Sequence, residues 1–432
     1  MTATASIFRA IQFGSGKLVA LQNVVGLDSL RTIASLRQGP TLAFTQRALQ
    51  YRQYSTDHPP SPIITHMHAD PTMVRYKYWN REESEAGKFR NLRLEDVKRE
   101  AKIISLSDPD DPANAALHNG TLPVGCKLLG VATTLEDFDA EILEREQPNI
   151  VYVSPSCPQA RTQLPKLIDA YPSIEWVHCR SAGIDFVVSQ EFADSRVTYV
   201  TNAKGQFSST LAEYTMMACA YFAKDLPRLM RQKHNKDWSK YNVEELRGKT
   251  LGIVGYGDIG RACAKLAHVY GMRIVALRRN PKLCEGDPLC HVVYGTGKEE
   301  LNKLMSESDY VVCSAPSTLE TKGMVNAAAF DSAKQGLVFI NLGRGTVVDE
   351  NAMIHALKSG KLKGAALDVF TEEPLPKQSD LWELDNVLLS PHNMDQTATF
   401  MHEACEFFVN ENVPRFICEE ELLNPVDKVL GY

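Results

Sequence analysis

Residues 251–260 read LGIVGYGDIG, an apolar segment that runs directly into three glycines with the spacing G-x-G-x-x-G. The apolar segment is typical of a buried strand, and residues 261–270 have the pattern of a helix. Between a strand and a helix, this spacing predicts a loop that holds a pyrophosphate at the helix N-terminus. A glycine-rich turn without a ligand is the alternative. The predicted dinucleotide-binding residues are Gly255, Gly257, Asp258, Ile259 and Gly260.

Strand-like segments alternate with helical segments on both sides of this motif. Buried strands that alternate with helices predict parallel sheets covered on both faces, so the fold class is α/β. Two series of strands predict two doubly wound parallel-sheet domains. We expect the last helical segment, 397–420, to pack back on the first domain, and residues 208–230 to form one long helix. The predicted strands are 149–153, 175–179 and 197–201 in the first series, and 249–254, 272–277, 310–314, 337–341, 364–368 and 387–390 in the second.

The residues that follow the strand at 272–277 bear on which dinucleotide binds. In proteins that use NAD, an acidic residue at this point binds the ribose 2′-hydroxyl and repels a 2′-phosphate. This chain has Arg278 and Arg279 instead, and guanidinium groups form charge-assisted contacts with phosphate. The pair predicts that NADP(H) is favoured. NAD(H) is the alternative if both arginines are only solvated surface residues.

Three further segments bear on the chemistry. Residues 340–350 read INLGRGTVVDE, residues 364–376 read GAALDVFTEEPLP and residues 389–392 read LSPH. In this order, and together with the dinucleotide motif, they closely resemble the D-isomer-specific 2-hydroxyacid dehydrogenase family. The resemblance runs from about residue 149 to the C-terminus, where residues 426–432 resemble the glyoxylate/hydroxypyruvate reductase branch. It implies an NAD(P)-dependent oxidoreductase that reduces small 2-oxo acids to D-2-hydroxy acids.

The residue types in these segments suit that reduction, which needs an anchored carboxylate, a polarised carbonyl and a proton donor. The planar guanidinium of Arg344 can bridge carboxylate and carbonyl oxygens, so we predict that it binds the substrate and assists catalysis. His392 is the predicted proton donor, because histidine titrates near neutrality. Glu373 is expected to pair with His392 and to favour its protonated form. Taken singly, each residue has a structural alternative.

The resemblance implies further contacts at the site. Asp368 would hold the nicotinamide carboxamide, and the backbone N–H groups of Ala182 and Gly183 would bind the substrate carboxylate. It also implies a homodimer with a Rossmann cofactor domain and a flavodoxin-like substrate domain. The expected boundaries are 241–391 for the cofactor domain and 55–240, completed by 392–432, for the substrate domain. Further cofactor contacts are implied at Thr210, Ala315 and Pro316.

Three other functions stay open at this point. A formate dehydrogenase would share the fold, but typically has Gln in the segment that matches Glu373. A nucleotide-sensing binding protein, similar to the transcriptional corepressors with this fold, would bind NAD(H) without turnover. A catalytically inactive relative is the third alternative, because residues 393–395 read NMD where the family commonly has Ile-Gly-Gly. Activity of the purified protein on 2-oxo acids or formate separates these alternatives.

Composition and charge narrow the partners and the location. The net charge of −6 gives no reason to expect a nucleic-acid partner. No apolar segment is long enough to predict a membrane span. The ten scattered cysteines predict reduced thiols without a metal site.

Residues 1–54 contain six basic residues and one acidic residue, which resembles an organelle transit peptide. The prediction is a mitochondrial protein, with a cytoplasmic or plastid location as the alternative.

Overall fold

The structure is a computed structural model that describes residues 92–429. The predicted transit peptide, residues 1–54, lies outside the described residues. Over residues 92–429, no helix combines the length and the apolar character needed to cross a membrane. All ten cysteines fall within this range and are free thiols.

The first sheet has five parallel strands in the order β2-β1-β3-β4-β5. This is the doubly wound order in which the chain reverses direction between β1 and β3. Strands β1 and β2 lie in a segment for which the sequence predicted no strands, so that part of the prediction was incomplete. Charged and proline-rich residues surround both strands and hide their apolar pattern. The five strands are β1 Ala101–Leu106, β2 Cys126–Ala132, β3 Ile150–Val153, β4 Trp176–Cys179 and β5 Tyr199–Asn202.

The second sheet has seven parallel strands in the order β12-β11-β10-β9-β6-β7-β8. Two parallel sheets covered by helices confirm the predicted α/β fold class. Strand β8 was not predicted from the sequence, because three residues are too few to show a period. The seven strands are β6 Thr250–Val254, β7 Arg273–Leu277, β8 Val292–Tyr294, β9 Tyr310–Cys313, β10 Leu337–Asn341, β11 Leu362–Leu367 and β12 Val387–Leu389.

The predicted helix at 208–230 is two helices, which corrects that prediction. The chain breaks at Asp225, which has a left-handed φ of 51° and caps the next helix by accepting a hydrogen bond from the Arg228 N–H. Pro227 accounts for the break, because a proline inside a continuous helix removes one backbone hydrogen bond and its ring clashes with the preceding turn. The helices are α1 Ala115–His118, α2 Ala140–Glu146, α3 Ala160–Ala170, α4 Gln190–Ala193, α5 Ser208–Lys224, α6 Leu226–Asn235, α7 Asp258–Val269, α8 Lys298–Glu307, α9 Ala327–Ser332, α10 Glu350–Lys358, α11 Phe400–Phe407 and α12 Val413–Ile417.

The C-terminal helices cover one face of the first sheet. Residues Phe408–Asn412 form a π-helical segment between α11 and α12. The Phe408 ring lies 4.7 Å from the His178 ring and 5.3 Å from Trp176, both on β4. The chain therefore returns to its first domain after completing the second.

Helix α5 ties the two sheets together. Its apolar residues pack in one cluster with residues of β6 and α7, so the helix belongs to the core of the second domain. Phe207, the residue directly before α5, packs beside Ala404 of α11, which covers the first sheet. The carboxyl ends of the parallel strands, where α/β proteins place their ligands, lie on either side of this connection.

Candidate active site

Of the three glycines after β6, two are required by the backbone packing and one leaves space for a ligand. Gly255 has a φ of 97°, and a Cβ added there would lie 2.7 Å from the Ala315 backbone nitrogen. A Cβ on Gly260 would lie 2.5 Å from the Gly255 carbonyl oxygen. The fold itself therefore requires both glycines. A Cβ on Gly257 would meet no atom within 4 Å, which leaves open space at the N-terminus of α7. We call the loop Gly255–Gly260, together with this open space, the cradle. A pyrophosphate fits it because the first-turn N–H groups of a helix attract anions.

Arg278 and Arg279 stand next to this cradle. The backbone nitrogens of Gly255 and Tyr256 both donate to the carbonyl oxygen of Leu277, the last residue of β7. The Arg278 guanidinium is half-buried, with Nη1 3.0 Å from the Cys284 sulfur, whereas Arg279 is exposed. The two arginines thus follow the strand end at which an adenosine ribose would lie.

His392 and Glu373 form a hydrogen-bonded pair. His392 Nδ1 lies 2.7 Å from Glu373 Oε2, and Glu373 Oε1 accepts from the Phe370 backbone N–H at 2.9 Å. His392 has a positive φ of 50°, a backbone conformation that non-glycine residues rarely adopt. Such strained residues cluster at functional sites. The arrangement suits proton transfer, since the carboxylate fixes the orientation of the imidazole.

Asp368 fixes the loop that carries His392. Its carboxylate is buried and accepts hydrogen bonds from the Ser390 hydroxyl at 2.7 Å and from the backbone N–H groups of Asn393 and Met394 at 3.0 and 3.3 Å. Burial raises the pKa of Asp368, although these three donors oppose the shift. Asp368 therefore holds the Ser390 side chain before His392 and the backbone directly after it.

Arg344 lies where the two domains meet. Its Nη2 is 3.0 Å from Asp185 Oδ2, and its Nη1 donates to the Gly343 carbonyl oxygen at 2.9 Å. A Cβ on Gly183 would lie 2.0 Å from Arg344 Nη2, so the guanidinium rests directly against the Gly183 backbone. The loop after β4 and the loop after β10 therefore form one site. A carboxylate bound there would meet the guanidinium and the backbone at Gly183 together.

Gly345 brings the loop after β10 against the loop after β11. A Cβ on Gly345 would lie 1.9 Å from the Phe370 carbonyl carbon, so no larger residue fits without moving the backbone. Arg344 precedes this contact, and Phe370 is the residue whose N–H orients Glu373. The close approach therefore places the guanidinium and the Glu373–His392 pair in neighbouring loops.

The chain matches known proteins over the same region. The sequence profile described as "D-isomer specific 2-hydroxyacid dehydrogenase, NAD binding domain" matches residues 216–393. The glyoxylate reductase of Thermococcus litoralis is 34% identical over 250 residues, which are 56% of this chain and 72% of the relative. The chain belongs to the D-isomer specific 2-hydroxyacid dehydrogenase family. It is an NAD(P)-dependent D-2-hydroxyacid dehydrogenase, and the predicted family is confirmed.

Two further matches show the breadth of this dehydrogenase family. The D-3-phosphoglycerate dehydrogenase of Haemophilus influenzae is 36% identical over 249 residues, 56% of this chain and 58% of the relative. The crystal structure of a D-isomer specific 2-hydroxyacid dehydrogenase from Xanthobacter autotrophicus Py2, in complex with NADPH and MES, has a TM-score of 0.63 at 28% identity. That match covers 77% of this chain and all of the other. The match to the NAD binding domain and the NADPH complex support binding of a nicotinamide cofactor.

Other predicted cofactor residues of this dehydrogenase lie around the same cleft. Ala315 follows β9 and packs against Gly255 and Gly343. Pro316 comes next, and its carbonyl oxygen accepts from the Thr321 hydroxyl at 2.6 Å. Thr210 lies in the first turn of α5 and donates its hydroxyl to the Phe207 carbonyl oxygen at 2.9 Å. Ala182, which was predicted to bind the substrate carboxylate through its N–H, accepts a hydrogen bond from the Asn202 side chain through its carbonyl oxygen at 2.5 Å.

The sequence did not reveal several residues of the dehydrogenase site. Asp185 belongs to the segment SAGID that carries Ala182 and Gly183, but nothing in the sequence showed that it would pair with Arg344. Ser390 precedes His392 by two residues and gained its role only through contact with Asp368. Asp395 was noted as a departure from the family pattern, and the structure places its carboxylate within electrostatic reach of His392 and Arg344.

Proposed function

We propose that this dehydrogenase reduces 2-oxo acids of the glyoxylate and hydroxypyruvate type to D-2-hydroxy acids, with NADPH as the preferred cofactor. The observation that carries the proposal is the hydrogen-bonded Glu373–His392 pair, since the loop of Glu373 packs against the loop of Arg344. Curated relatives named glyoxylate reductase support this substrate class.

Each residue of the site has a distinct task in this reaction. Arg344 binds the substrate carboxylate, with help from the backbone at Gly183, and polarises the carbonyl oxygen. A nicotinamide cofactor held at Gly255, Gly257 and Gly260 would supply the hydride for the carbonyl carbon. His392, with Nδ1 engaged by Glu373, presents Nε2 to give a proton to the carbonyl oxygen. Glu373 acts through His392 and is a positioning residue.

The activity is tested with purified protein, by following oxidation of NADPH and of NADH with glyoxylate, hydroxypyruvate and pyruvate. Turnover of the first two substrates is the expected result. Binding of cofactor without turnover of any of them would contradict the proposal and favour an inactive or nucleotide-sensing protein. Reduction of NAD⁺ by formate would instead favour a formate dehydrogenase.

The NADPH preference rests on Arg278 and Arg279 at the end of β7. Replacing either with Ala should lower kcat/KM for NADPH by roughly ten- to a hundredfold, because a charge-assisted contact to the 2′-phosphate is lost. The value for NADH should change little. Arg247→Ala is the matched control, because Arg247 is exposed, pairs with Glu245 and precedes the N-terminal end of β6, whereas Arg278 and Arg279 follow the C-terminal end of β7. Equal losses with both cofactors would contradict the preference.

We infer a homodimer from the exposed apolar surface at helix α6. Helix α6 has no buried residue, and the segment that begins with it exposes Leu229, Met230 and Trp238, the last with 93% of its surface accessible. Apolar side chains exposed together mark interaction surfaces. Sedimentation of the wild-type protein should show a dimer, and Trp238→Lys should shift it toward the monomer. A monomeric wild-type protein would contradict this.

We also propose that residues 1–54 direct the protein to mitochondria. A fluorescent protein fused behind residues 1–60 should accumulate there. The same fusion with the six basic residues of this segment changed to Gln should stay in the cytosol, because import of such leaders depends on their positive charge. Cytosolic or plastid fluorescence of the unaltered fusion would contradict the proposal.

A further inference from the structure

Residues 393–395 follow His392 and read NMD, where the family commonly has small or apolar residues. Their backbone is fixed in place. Two of their N–H groups bind the Asp368 carboxylate, and the Asn393 carbonyl oxygen accepts from the Gln396 N–H at 3.0 Å. The Met394 side chain packs against the apolar cluster that contains Tyr214 and Leu342. These contacts hold the backbone of the segment that carries Asp395 next to His392.

The Asp395 carboxylate adds a negative charge beside the reacting groups. It is partly buried and interacts electrostatically with His392 and Arg344, which attract it, and with Asp368, which repels it. Burial raises the pKa of Asp395, as it does for a carboxyl group removed from water. Charges in such partly desolvated positions act on a ligand more strongly than charges in bulk water.

The carboxylates of the site would repel a ligand that carries two negative charges. Asp185 pairs with the Arg344 guanidinium, Glu373 pairs with the His392 imidazole, and Asp395 interacts electrostatically with both of these groups. One substrate carboxylate can be neutralised by Arg344. A second anionic group on the same small molecule would have no cation left among these residues.

We propose that Asp395 is a specificity-determining residue that disfavours 2-oxo acids with a second negative charge next to the reacting carbonyl. The same carboxylate favours a neutral or hydrogen-bond-donating group at that position. The inference deepens the proposed function and rests on it. The discrimination matters in this family, since one relative is named for a substrate that carries a phosphate as well as a carboxylate.

Two unreactive analogues test the proposal directly. Oxamate and oxalate have nearly the same shape, but oxamate presents an NH₂ donor where oxalate presents a second negative oxygen. Binding of each to the NADPH-saturated protein is measured by calorimetry at mildly alkaline pH, where the carboxyl groups are ionised. The wild-type protein should bind oxamate roughly tenfold or more tightly than oxalate, and Asp395→Asn should reduce this preference by about tenfold. Asp385→Asn is the matched control because it makes the same change at an exposed site before β12, and it should leave the preference unchanged.

The outcomes separate this inference from the proposed function. An unchanged oxamate preference in Asp395→Asn, with wild-type thermal stability, would overturn the inference. An equal change in Asp385→Asn would do the same. A wild-type protein that binds oxamate with the expected preference but reduces neither glyoxylate nor hydroxypyruvate would refute the proposed function and leave the inference standing. Failure of the wild-type protein to bind either analogue would overturn the inference, because it requires a 2-oxo acid site at His392.

Discussion

Glu373 holds His392 through one carboxylate oxygen while the other oxygen is held by the backbone. Oε2 lies 2.7 Å from His392 Nδ1, and Oε1 accepts from the Phe370 N–H at 2.9 Å. The imidazole orientation is therefore set by the loop after β11, a different loop from the one that carries His392. Since Gly345 packs against the same Phe370, this relationship also ties the histidine to Arg344.

Replacement of His392 should remove proton transfer and leave cofactor binding intact. Asn is the suitable substitute, because it tolerates the left-handed φ of 50°. His392→Asn should lower kcat by roughly 100- to 10,000-fold, the usual contribution of general acid catalysis. The Kd for NADPH, measured by cofactor fluorescence, should stay within about twofold of wild type.

Glu373→Gln tests the positioning role separately. It should lower kcat by roughly ten- to a hundredfold with little change in KM, and Glu373→Asp should recover part of the loss. A KM increase without a kcat loss would instead mean that Glu373 acts in substrate binding.

Substitutions at two glycines of the cradle should affect different properties, one of them cofactor binding and the other stability. Gly257→Ala should leave the free energy of unfolding within about 0.5 kcal/mol of wild type but weaken NADPH binding, because its Cβ enters the open space meant for the pyrophosphate. Gly255→Ala should destabilise the protein by about 1–3 kcal/mol, given its φ of 97° and the close Ala315 backbone. Gly295→Ala, which also meets no atom within 4 Å, is the control and should change neither property. Normal cofactor affinity in Gly257→Ala would place the pyrophosphate elsewhere.

The ion pair between Arg344 and Asp185 should compete with the substrate. Asp185→Asn keeps an oxygen near the guanidinium but removes its charge, so the KM for glyoxylate should fall a few-fold. Arg344→Lys should lower kcat/KM by roughly a hundredfold, because an ammonium group lacks the planar fork that binds two oxygens. Steady-state kinetics on both variants checks these directions. A higher KM in Asp185→Asn would show that Asp185 helps to bind the substrate.

His178 should make the fold sensitive to acid. Burial lowers the pKa of His178 to about 3 in the folded chain, whereas an unfolded histidine titrates near 6.5. Between these values the unfolded chain binds the additional proton, so the stability present above pH 6.5 is lost as the pH falls toward 3. In the wild-type protein, the free energy of unfolding should decrease as the pH is lowered through this window. In His178→Gln, the slope of this decrease should be smaller by about 1.4 kcal/mol per pH unit, which is the effect of one proton. Urea unfolding at several pH values measures the slope. His268→Gln is the control, because His268 is exposed, and it should keep the wild-type slope. A wild-type slope in His178→Gln would show that His178 does not cause the acid sensitivity.

Local sequence determined the features that depend on short-range backbone and side-chain preferences. The cradle could be read from residues 251–260, because an apolar strand, a positive-φ glycine and a helix start are each encoded within a few residues. Most strands of the second sheet were found for the same reason, since buried parallel strands are continuous apolar segments. Strands β1 and β2, flanked by charged and proline-rich residues, did not show this signal.

Only the tertiary structure decided which distant residues meet. Arg344 rests on Gly183, and Gly345 rests on Phe370, because backbones from different strands approach closely, and sequence spacing carries no measure of that approach. The placement of the loop that carries Asp395 likewise depends on how Met394 packs into the core. The sequence supplied the chemical groups of this dehydrogenase. Packing across the cleft set their distances and charges, because those depend on contacts between residues far apart in the chain.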